Sequence, residues 1–109
     1  MRGIGTDIVE NERVRKALSD SFLRKVLSPE EIEKCQDYRP EKKVQFVSGR
    51  FAAKEAIIKC LSDHEIPSMS ELNITNNIMG KPEIVYKDYE IILSISHEKN
   101  YSVATAVLL

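Results

Sequence analysis

Apolar and polar residues alternate over the first ten positions, which is the pattern of a β-strand. In the strand predicted over residues 3–9, Ile4, Thr6 and Ile8 fall on one face. The opposite face carries, in order, Gly3, Gly5 and Asp7. Two glycines leave bare backbone on that face, and the next side chain along it is a carboxylate. The strand therefore presents an unusual combination of close-approach surface and negative charge.

The following residues change to helical spacing and contain three helix starts. We expect Asn11 to cap a helix over about 12–18, followed by a second short helix over 20–26. Segment 28–31 reads Ser-Pro-Glu-Glu, in which serine suits the cap, proline the first helical position, and glutamate the capping box. This third helix is predicted to end near Tyr38, because a proline follows shortly after.

A single long helix is predicted from Pro40 to about Leu61. Its apolar and small residues recur at helical spacing and suit close packing. They are Val44, Val47, Phe51, Ala52, Ala53, Ala56, Ile57, Ile58 and Leu61. Gly49 weakens the middle of this helix by about 1 kcal/mol relative to alanine. A glycine at that position indicates that another group approaches the helix closely.

The second half of the chain changes to strand periodicity after a polar loop over 62–70. Strands are predicted near 71–76, 83–87, 90–97 and 101–108. The segment 98–100, Glu-Lys-Asn, turns the chain back, so the last two strands form an antiparallel hairpin. The expected class is α+β, with helices packed on a mostly antiparallel sheet in a single domain over 1–109.

Composition narrows the class of protein. The chain has 109 residues, 42% of them hydrophobic and 30% charged, with a net charge of −1. This balance favours a globular domain over a disordered one, and the net charge argues against a nucleic-acid binder. No apolar run is long enough for a membrane span, and the start of the chain lacks a signal-peptide core. With Cys35 and Cys60 expected as reduced thiols, we predict a cytoplasmic protein.

Two carboxylates are the main candidates for chemistry. In a purely structural interpretation, Asp7 caps the next helix. Glu55 then forms an ion pair with Lys59, four residues later on the same helix. The functional alternative joins Asp7 and Glu55 in a Mg²⁺ site, because this ion is satisfied by one or two carboxylates, waters and phosphate oxygens. The residues alone leave both interpretations open.

Two further segments have a structural and a functional interpretation. His97 ends a strand on its apolar face, as either a hydrogen-bonded structural residue or part of a site. The segment 80–82, Gly-Lys-Pro, is either an ordinary turn or a loop that presents N–H groups and a lysine to an anion.

Charge is unevenly distributed in the predicted short helices. Residues 12–27 hold five basic and two acidic side chains, a local charge of +3, whereas residues 28–41 hold two basic and five acidic ones, a local charge of −3. The basic residues are Arg13, Arg15, Lys16, Arg24 and Lys25. They form either a solvated face or a docking surface for an acidic partner.

Three segments together resemble a known family. They are Gly-Ile-Gly-Thr-Asp-Ile-Val-Glu at 3–10, Gly-Arg-Phe-Ala-Ala-Lys-Glu-Ala at 49–56 and Ser-Ile-Ser-His at 94–97. In this order and spacing the sequence resembles the holo-(acyl-carrier-protein) synthases, the small trimeric 4′-phosphopantetheinyl transferases. The resemblance covers nearly the whole chain.

The resemblance implies a reaction and a metal. The family moves the phosphopantetheine arm of coenzyme A onto a serine of apo acyl carrier protein in fatty acid biosynthesis and releases adenosine 3′,5′-bisphosphate. By resemblance, Asp7 and Glu55 hold Mg²⁺, Lys59 stabilises developing charge, and His97 lies beside the nucleotide or the incoming serine. Either Glu55 or a metal-bound water would accept the serine proton.

The resemblance also implies binding residues and a homotrimer, because the family builds its coenzyme A site between subunits. The residues expected to contact coenzyme A are Arg50, Lys54, Gly80, Lys81, Pro82, Ser96 and His97, with Lys42 and Lys43 as weaker candidates. The basic surface led by Arg13 would receive the acidic helix of the carrier protein. The stretch 61–69 departs from the family, because it is short and lacks the glycines common there.

Two other functions compete with the transferase. A trimeric interaction module would use the basic helices for docking, with Asp7 and Glu55 serving only in caps and ion pairs. A nucleotide-binding or RNA-binding domain is disfavoured, because the chain has no tryptophan, 6% aromatic residues and no net basic charge.

Overall fold

A computed structural model of the chain describes residues 1–61 and 65–109. Strands β1 to β5 span Gly3–Glu10, Ile74–Asn76, Pro82–Ile84, Ile91–His97 and Tyr101–Leu108. Helices α1 to α4 span Asn11–Ala17, Asp20–Val26, Pro29–Cys35 and Pro40–Cys60, and a 3₁₀ turn spans Met69–Glu71. The predicted α+β class is confirmed.

Strand β5 is the centre of a three-stranded antiparallel sheet with the order β1-β5-β4. Its residue Ser102 pairs with Val9 on one side and with His97 on the other. Strands β2 and β3 pair with each other in a separate antiparallel sheet. The predicted hairpin between the last two strands is confirmed, and its register aligns Asp7, Ala104 and Ile95 across the larger sheet.

Helix α4 lies against one face of the three-stranded sheet, and we call this the inner face. The small and branched residues of α4 form the centre of the core. Val47, Ala52, Ala53, Ala56 and Ile57 are fully buried. Short side chains on this surface let the helix lie close to the strands, which places the polar residues of both elements within reach of each other.

The two glycines of β1 lie where α4 comes closest to the sheet. A Cβ atom on Gly3 would collide with the carbonyl oxygen of Cys60, and one on Gly5 with the carbonyl oxygen of Ala56. The same Cβ on Gly5 would lie 2.8 Å from Cβ of Lys59. Strand and helix backbones therefore touch directly, without side chains between them.

Gly49 marks a second close approach, as the sequence predicted. A Cβ atom there would collide with Cε1 of His97 and would lie 3.1 Å from its Nε2 atom. The imidazole ring of β4 thus rests on the backbone of α4.

Several predicted boundaries are wrong. Asn11 is not a cap but the buried first residue of α1, and its side chain donates to the carbonyls of Glu98 and Lys99 in the hairpin. Helix α3 ends at Cys35, because Tyr38 N–H donates back to Cys35 in a turn that precedes Pro40.

The smaller strands are shorter than the predicted ones, since a 3₁₀ turn replaces the start of 71–76 and β3 stops at Ile84. The predicted loop over 62–70 lies partly outside the described residues, which resume at Glu65.

The expected free thiols are present, since Cys35 and Cys60 are both unpaired and buried. Burial raises the pKa of each thiol, which keeps it protonated. Among the described helices, none combines the length and apolar character that a bilayer span requires.

Replacing Gly5 with alanine tests the contact between β1 and α4. We expect Gly5→Ala to lower the free energy of unfolding by about 3 kcal/mol, because the added methyl group meets rigid backbone. Gly80→Ala is the matched comparison, since Gly80 has open space around it but a φ of +85°. It should cost only about 1 kcal/mol through backbone strain. Equal losses in urea unfolding would contradict the proposed close contact.

Candidate active site

Asp7 continues the inner face of β1 beyond the two glycines. Its side chain is 19% exposed and accepts a charged hydrogen bond from Lys59, with Nζ 3.2 Å from Oδ1. The same ammonium group donates to the carbonyl oxygen of Thr6 at 2.8 Å. Asp7 is therefore not a helix cap, and it faces a cation on α4.

Glu55 lies one helical turn before Lys59 on α4, so the two residues are neighbours on one helix surface. The predicted ion pair between them does not form, because Lys59 is engaged by Asp7. Within residues 1–61 and 65–109, the Glu55 carboxylate has no hydrogen-bond or ion-pair partner. We call Asp7, Glu55 and Lys59 the seam residues, since they follow the line where β1 meets α4.

The seam residues carry two carboxylates and one ammonium, which leaves one negative charge uncompensated. The ammonium of Lys59 shows that a cation is held at Asp7, and no described residue occupies the carboxylate oxygens of Glu55. Among the described residues, no group of three or more His, Cys, Asp or Glu side chains is arranged to enclose a metal. This donor set fits Mg²⁺, which takes few protein carboxylates and completes its shell with water and phosphate oxygens.

His97 is held in a defined position on the inner face. Its Nδ1 atom lies 3.1 Å from the hydroxyl of Ser102, its cross-strand partner, and Gly49 supports the ring from α4. Burial lowers the pKa of His97, and the nearby positive charge of Arg50 lowers it further. The ring is consequently neutral at physiological pH.

Lys54, which was expected to contact coenzyme A, lies inside the protein. Its ammonium is fully buried and donates to Glu31 at 2.5 Å and to the carbonyl of Val26 at 2.8 Å. Burial lowers the pKa of Lys54, while the Glu31 carboxylate opposes that change. Two of its three N–H donors are thus engaged within the chain, and its expected contact with coenzyme A stays a prediction.

Arg50 belongs to the same internal cluster. Its guanidinium donates to the side chain of Asn76 at 2.8 Å and lies 3.4 Å from Oε2 of Glu31. The group also stacks over the ring of Phe46 at 4.5 Å. Burial lowers its pKa without discharging it. Arg50 therefore fixes β2 against α4, and its expected contact with coenzyme A stays a prediction.

Glu31 has a larger structural role than the capping box that the sequence predicted. It completes the predicted capping box with Ser28, but it also accepts from Lys54 and from the N–H of Ile74. One carboxylate thus joins α3, α4 and β2. The capping box was the only signal for Glu31 in the sequence, and it did not indicate the partners on α4 and β2.

Ser96 lies on the opposite, outer face of the sheet, one residue before His97. Alternation along a strand separates the two side chains, so within one chain they do not line the same pocket.

The loop at Gly80–Lys81–Pro82 does not offer free N–H groups, which corrects that expectation. Asn77 accepts from the N–H groups of Met79 and Lys81 through its side chain, and from Gly80 through its carbonyl. Lys81 itself is exposed.

All five basic residues of the predicted docking surface are exposed on α1 and α2. Arg15 is bound to Glu12 and Glu41, which partly neutralises it. The other four carry no ion pair with the described residues. They are Arg13, Lys16, Arg24 and Lys25. A small cavity of about 120 Å³ adjoins Arg13 and is otherwise apolar, with Phe22 and Phe51 in its lining.

Comparison with known proteins gives consistent results. The sequence profile of the 4′-phosphopantetheinyl transferase superfamily matches residues 3–106. A holo-(acyl-carrier-protein) synthase of Staphylococcus haemolyticus is 34% identical over 99% of this chain and 96% of the relative. A protein of the same name from Mycoplasma capricolum is 43% identical over 98% of this chain and 94% of the relative.

Solved structures agree with the sequence matches. The holo-(acyl-carrier-protein) synthase of Bacillus anthracis, in complex with coenzyme A (3′,5′-ADP), superposes with a TM-score of 0.90 at 36% identity. The match covers 98% of this chain and 95% of that one. The corresponding Neisseria meningitidis protein gives a TM-score of 0.84 at 31% identity, over 100% and 98% of the two chains.

Removing the charge of Lys54 tests the buried cluster. We expect Lys54→Met to lower the free energy of unfolding by about 3–5 kcal/mol, because it leaves the Glu31 carboxylate buried without its closest cation. The double variant Glu31→Gln/Lys54→Met should recover part of that loss, since no unpaired carboxylate remains. A double-mutant cycle in urea measures the coupling. Additive losses would contradict the ion pair.

Proposed function

The chain belongs to the 4′-phosphopantetheinyl transferase superfamily, and on that basis we propose its reaction. It transfers the 4′-phosphopantetheine group of coenzyme A to a serine of apo acyl carrier protein and releases adenosine 3′,5′-bisphosphate. The structural observation that supports this function is the seam of two carboxylates and one lysine beside bare strand backbone. In the cell the reaction would serve fatty acid biosynthesis in the cytoplasm.

The transfer exchanges one phosphorus–oxygen bond for another. The serine oxygen attacks the phosphorus that bears the pantetheine arm, and the bond to the bridging oxygen breaks. The bridging oxygen leaves with the electron pair as part of the nucleotide. Because negative charge develops on the phosphoryl and bridging oxygens, cationic groups held beside them lower the barrier.

The seam residues would provide these cationic groups, one as the Lys59 ammonium and one as a metal ion held by the two carboxylates. Asp7 and Glu55 would hold Mg²⁺, which when bound neutralises charge on the pyrophosphate oxygens. Lys59, whose ammonium is half exposed at the seam, would donate to a phosphoryl oxygen. Glu55 would also be a candidate acceptor of the serine proton, since its carboxylate has no other partner among the described residues. Coenzyme A would contact His97 on β4 and also Lys81 and Pro82 in the neighbouring loop. Gly80 gives that loop its left-handed turn.

The exposed residues of α1 and α2 would dock the carrier protein. Arg13 is the central candidate, because its guanidinium has no ion-pair partner in the described part of the chain and adjoins an apolar cavity. Acidic side chains on the partner would pair with Arg13 and Lys16, while an apolar side chain would enter the cavity. Such charged contacts raise the rate of association more than the final affinity.

The outer face of the sheet supports assembly into a homotrimer. Ile4, Ile8 and Ile92 are 59%, 63% and 46% exposed on it. The strand register places Val107 between Ile4 and Ile92, so these three residues form a continuous apolar row, and Ile8 lies in another row of the same face. Within the described residues no helix covers this face, and an exposed apolar sheet of this kind is a typical subunit interface. Ser96, on the same face, would reach coenzyme A only from a neighbouring subunit.

A transfer assay tests the reaction and its metal together. The chain is incubated with apo acyl carrier protein, coenzyme A and Mg²⁺, and the intact mass of the carrier is measured. We expect a mass gain of one phosphopantetheine arm that EDTA abolishes. We further expect Asp7→Asn and Glu55→Gln each to reduce turnover at least a hundredfold, on the order of the loss of a charge-stabilising group.

The matched control is Glu33→Gln, which neutralises an exposed glutamate on α3 away from the seam. It should retain full turnover. If Asp7→Asn and Glu55→Gln also retained full turnover, the seam residues would not hold the metal of the reaction. A wild-type chain that bound the apo carrier protein but added no phosphopantetheine arm would be an interaction module and not a transferase.

A charge on the outer face tests the trimer. We expect Ile8→Glu to shift the chain to a monomer in sedimentation, because three buried carboxylates would repel each other and lose water. Lys34→Glu, an exposed change on α3, is the control and should leave the assembly unchanged. An intact trimer of Ile8→Glu would place the interface elsewhere.

A further inference from the structure

His97 is connected to two buried side chains that the proposed reaction does not use. Ser102 is fully buried on β5, and its hydroxyl lies between His97 and Asn11. Asn11 is 6% exposed at the start of α1. The three residues form a chain of hydrogen bonds that runs from the hairpin turn to the imidazole ring.

The direction of these hydrogen bonds follows from the amide of Asn11. Its Nδ2 group donates to the carbonyls of Glu98 and Lys99, at 3.1 and 3.2 Å. Carbonyl oxygens only accept, so the amide cannot be turned around, and its Oδ1 atom must face Ser102. That oxygen is 2.9 Å from the Ser102 hydroxyl, which therefore donates its only hydrogen to Asn11.

The Ser102 oxygen then has only lone pairs left for His97. An Nδ1 atom with a lone pair would face another lone pair at 3.1 Å, which is unfavourable. An Nδ1–H group makes a hydrogen bond at that distance. The network is satisfied only when Nδ1 carries a hydrogen.

We propose that Asn11 and Ser102 are positioning residues that fix neutral His97 as its Nδ1–H tautomer. The Nε2 atom then carries a lone pair and accepts a hydrogen bond or a proton from a hydroxyl or amine of the bound substrates. The inference rests on the proposed function, because it assigns the chemical state of a residue in that site. Both residues act through His97 and do not touch substrate.

Gly49 completes the positioning from the other side of the ring. Because any Cβ atom there would displace Cε1, the ring has contacts at both the Nδ1 edge and the Cε1 edge. In metal sites, a hydrogen-bond partner at one ring nitrogen of a histidine likewise fixes the tautomer and the orientation of the ring.

Nitrogen NMR of His97 tests the tautomer directly. The ring signals are assigned by their loss in His97→Gln and recorded at about pH 8, above the ordinary histidine pKa. We expect a protonated Nδ1 and an unprotonated Nε2 in the wild-type chain. In Ser102→Ala the ring loses its acceptor, and the Nε2–H form should become populated. In Asn11→Ala the Ser102 hydrogen becomes free to donate to Nδ1, so the Nε2–H form should predominate.

Ser48→Ala is the matched control. Ser48 is also a fully buried serine, but its hydroxyl has no hydrogen-bond partner among the described residues. It should leave both the tautomer and the transfer rate unchanged. Ser102→Ala and Asn11→Ala should lower the transfer rate about tenfold or more, as losses of orienting partners commonly do.

The outcomes separate the inference from the proposed function. A wild-type ring with hydrogen on Nε2, or variants that keep the Nδ1–H form, would overturn the tautomer assignment whatever the activity. Inverted tautomers with full transfer rates would overturn the positioning role. A wild-type chain with the Nδ1–H ring but no transfer would overturn the proposed function and leave the assignment standing.

Discussion

The direct contact between the backbone of β1 and helix α4 is the constraint on which the candidate site depends. Gly3 and Gly5 leave no room for a side chain, so the strand lies on the carbonyl groups of Cys60 and Ala56. Asp7 is the first side chain after this contact, and it meets Lys59 because the two elements are already touching. Any larger residue in β1 would separate the strand and the helix and with them the charged groups.

The polar residues of helix α4 have two roles: some form buried contacts that fix the helix, and others lie at the seam. Lys54 and Glu55 are consecutive, but a helix rotates about 100° per residue, so one points into the protein and the other toward the seam. The inward residue is bound to Glu31, which also caps α3. The seam residues are thereby carried by a helix that is fixed from behind by a buried ion pair. A rigid support of this kind is what a site for phosphoryl transfer needs, since positioning contributes most of its catalysis.

The sequence predicts the fold class, the four helices and the hairpin, because periodicity and helix caps are local signals. It also predicts that something approaches Gly49, although not that this is His97. The partners of Lys54, Lys59 and Asn11 could not be predicted. Each is bonded to a residue at least 23 positions away. The resemblance implied a coenzyme A contact for Lys54, and local spacing predicted an i,i+4 pair for Lys59 and a cap for Asn11. The buried polar contacts depend on how helices and strands pack, which spacing along one element does not determine.

Under the proposed function, the charges of the seam require that a cation accompany the diphosphate. Asp7 and Glu55 outnumber Lys59, so the free seam is negative, and a pyrophosphate would bring more negative charge to it. Lys59 alone cannot serve both Asp7 and a phosphate, because its ammonium already bridges the Asp7 carboxylate and the Thr6 carbonyl. If Asp7 and Glu55 held a divalent cation as proposed, Lys59 would be free to donate to the substrate. The half-exposed Lys59 side chain has the freedom for that exchange, whereas the enclosed Lys54 does not. Lys54 and Lys59 are therefore not interchangeable, and we assign the proposed role beside the phosphate to Lys59, which lies on the seam.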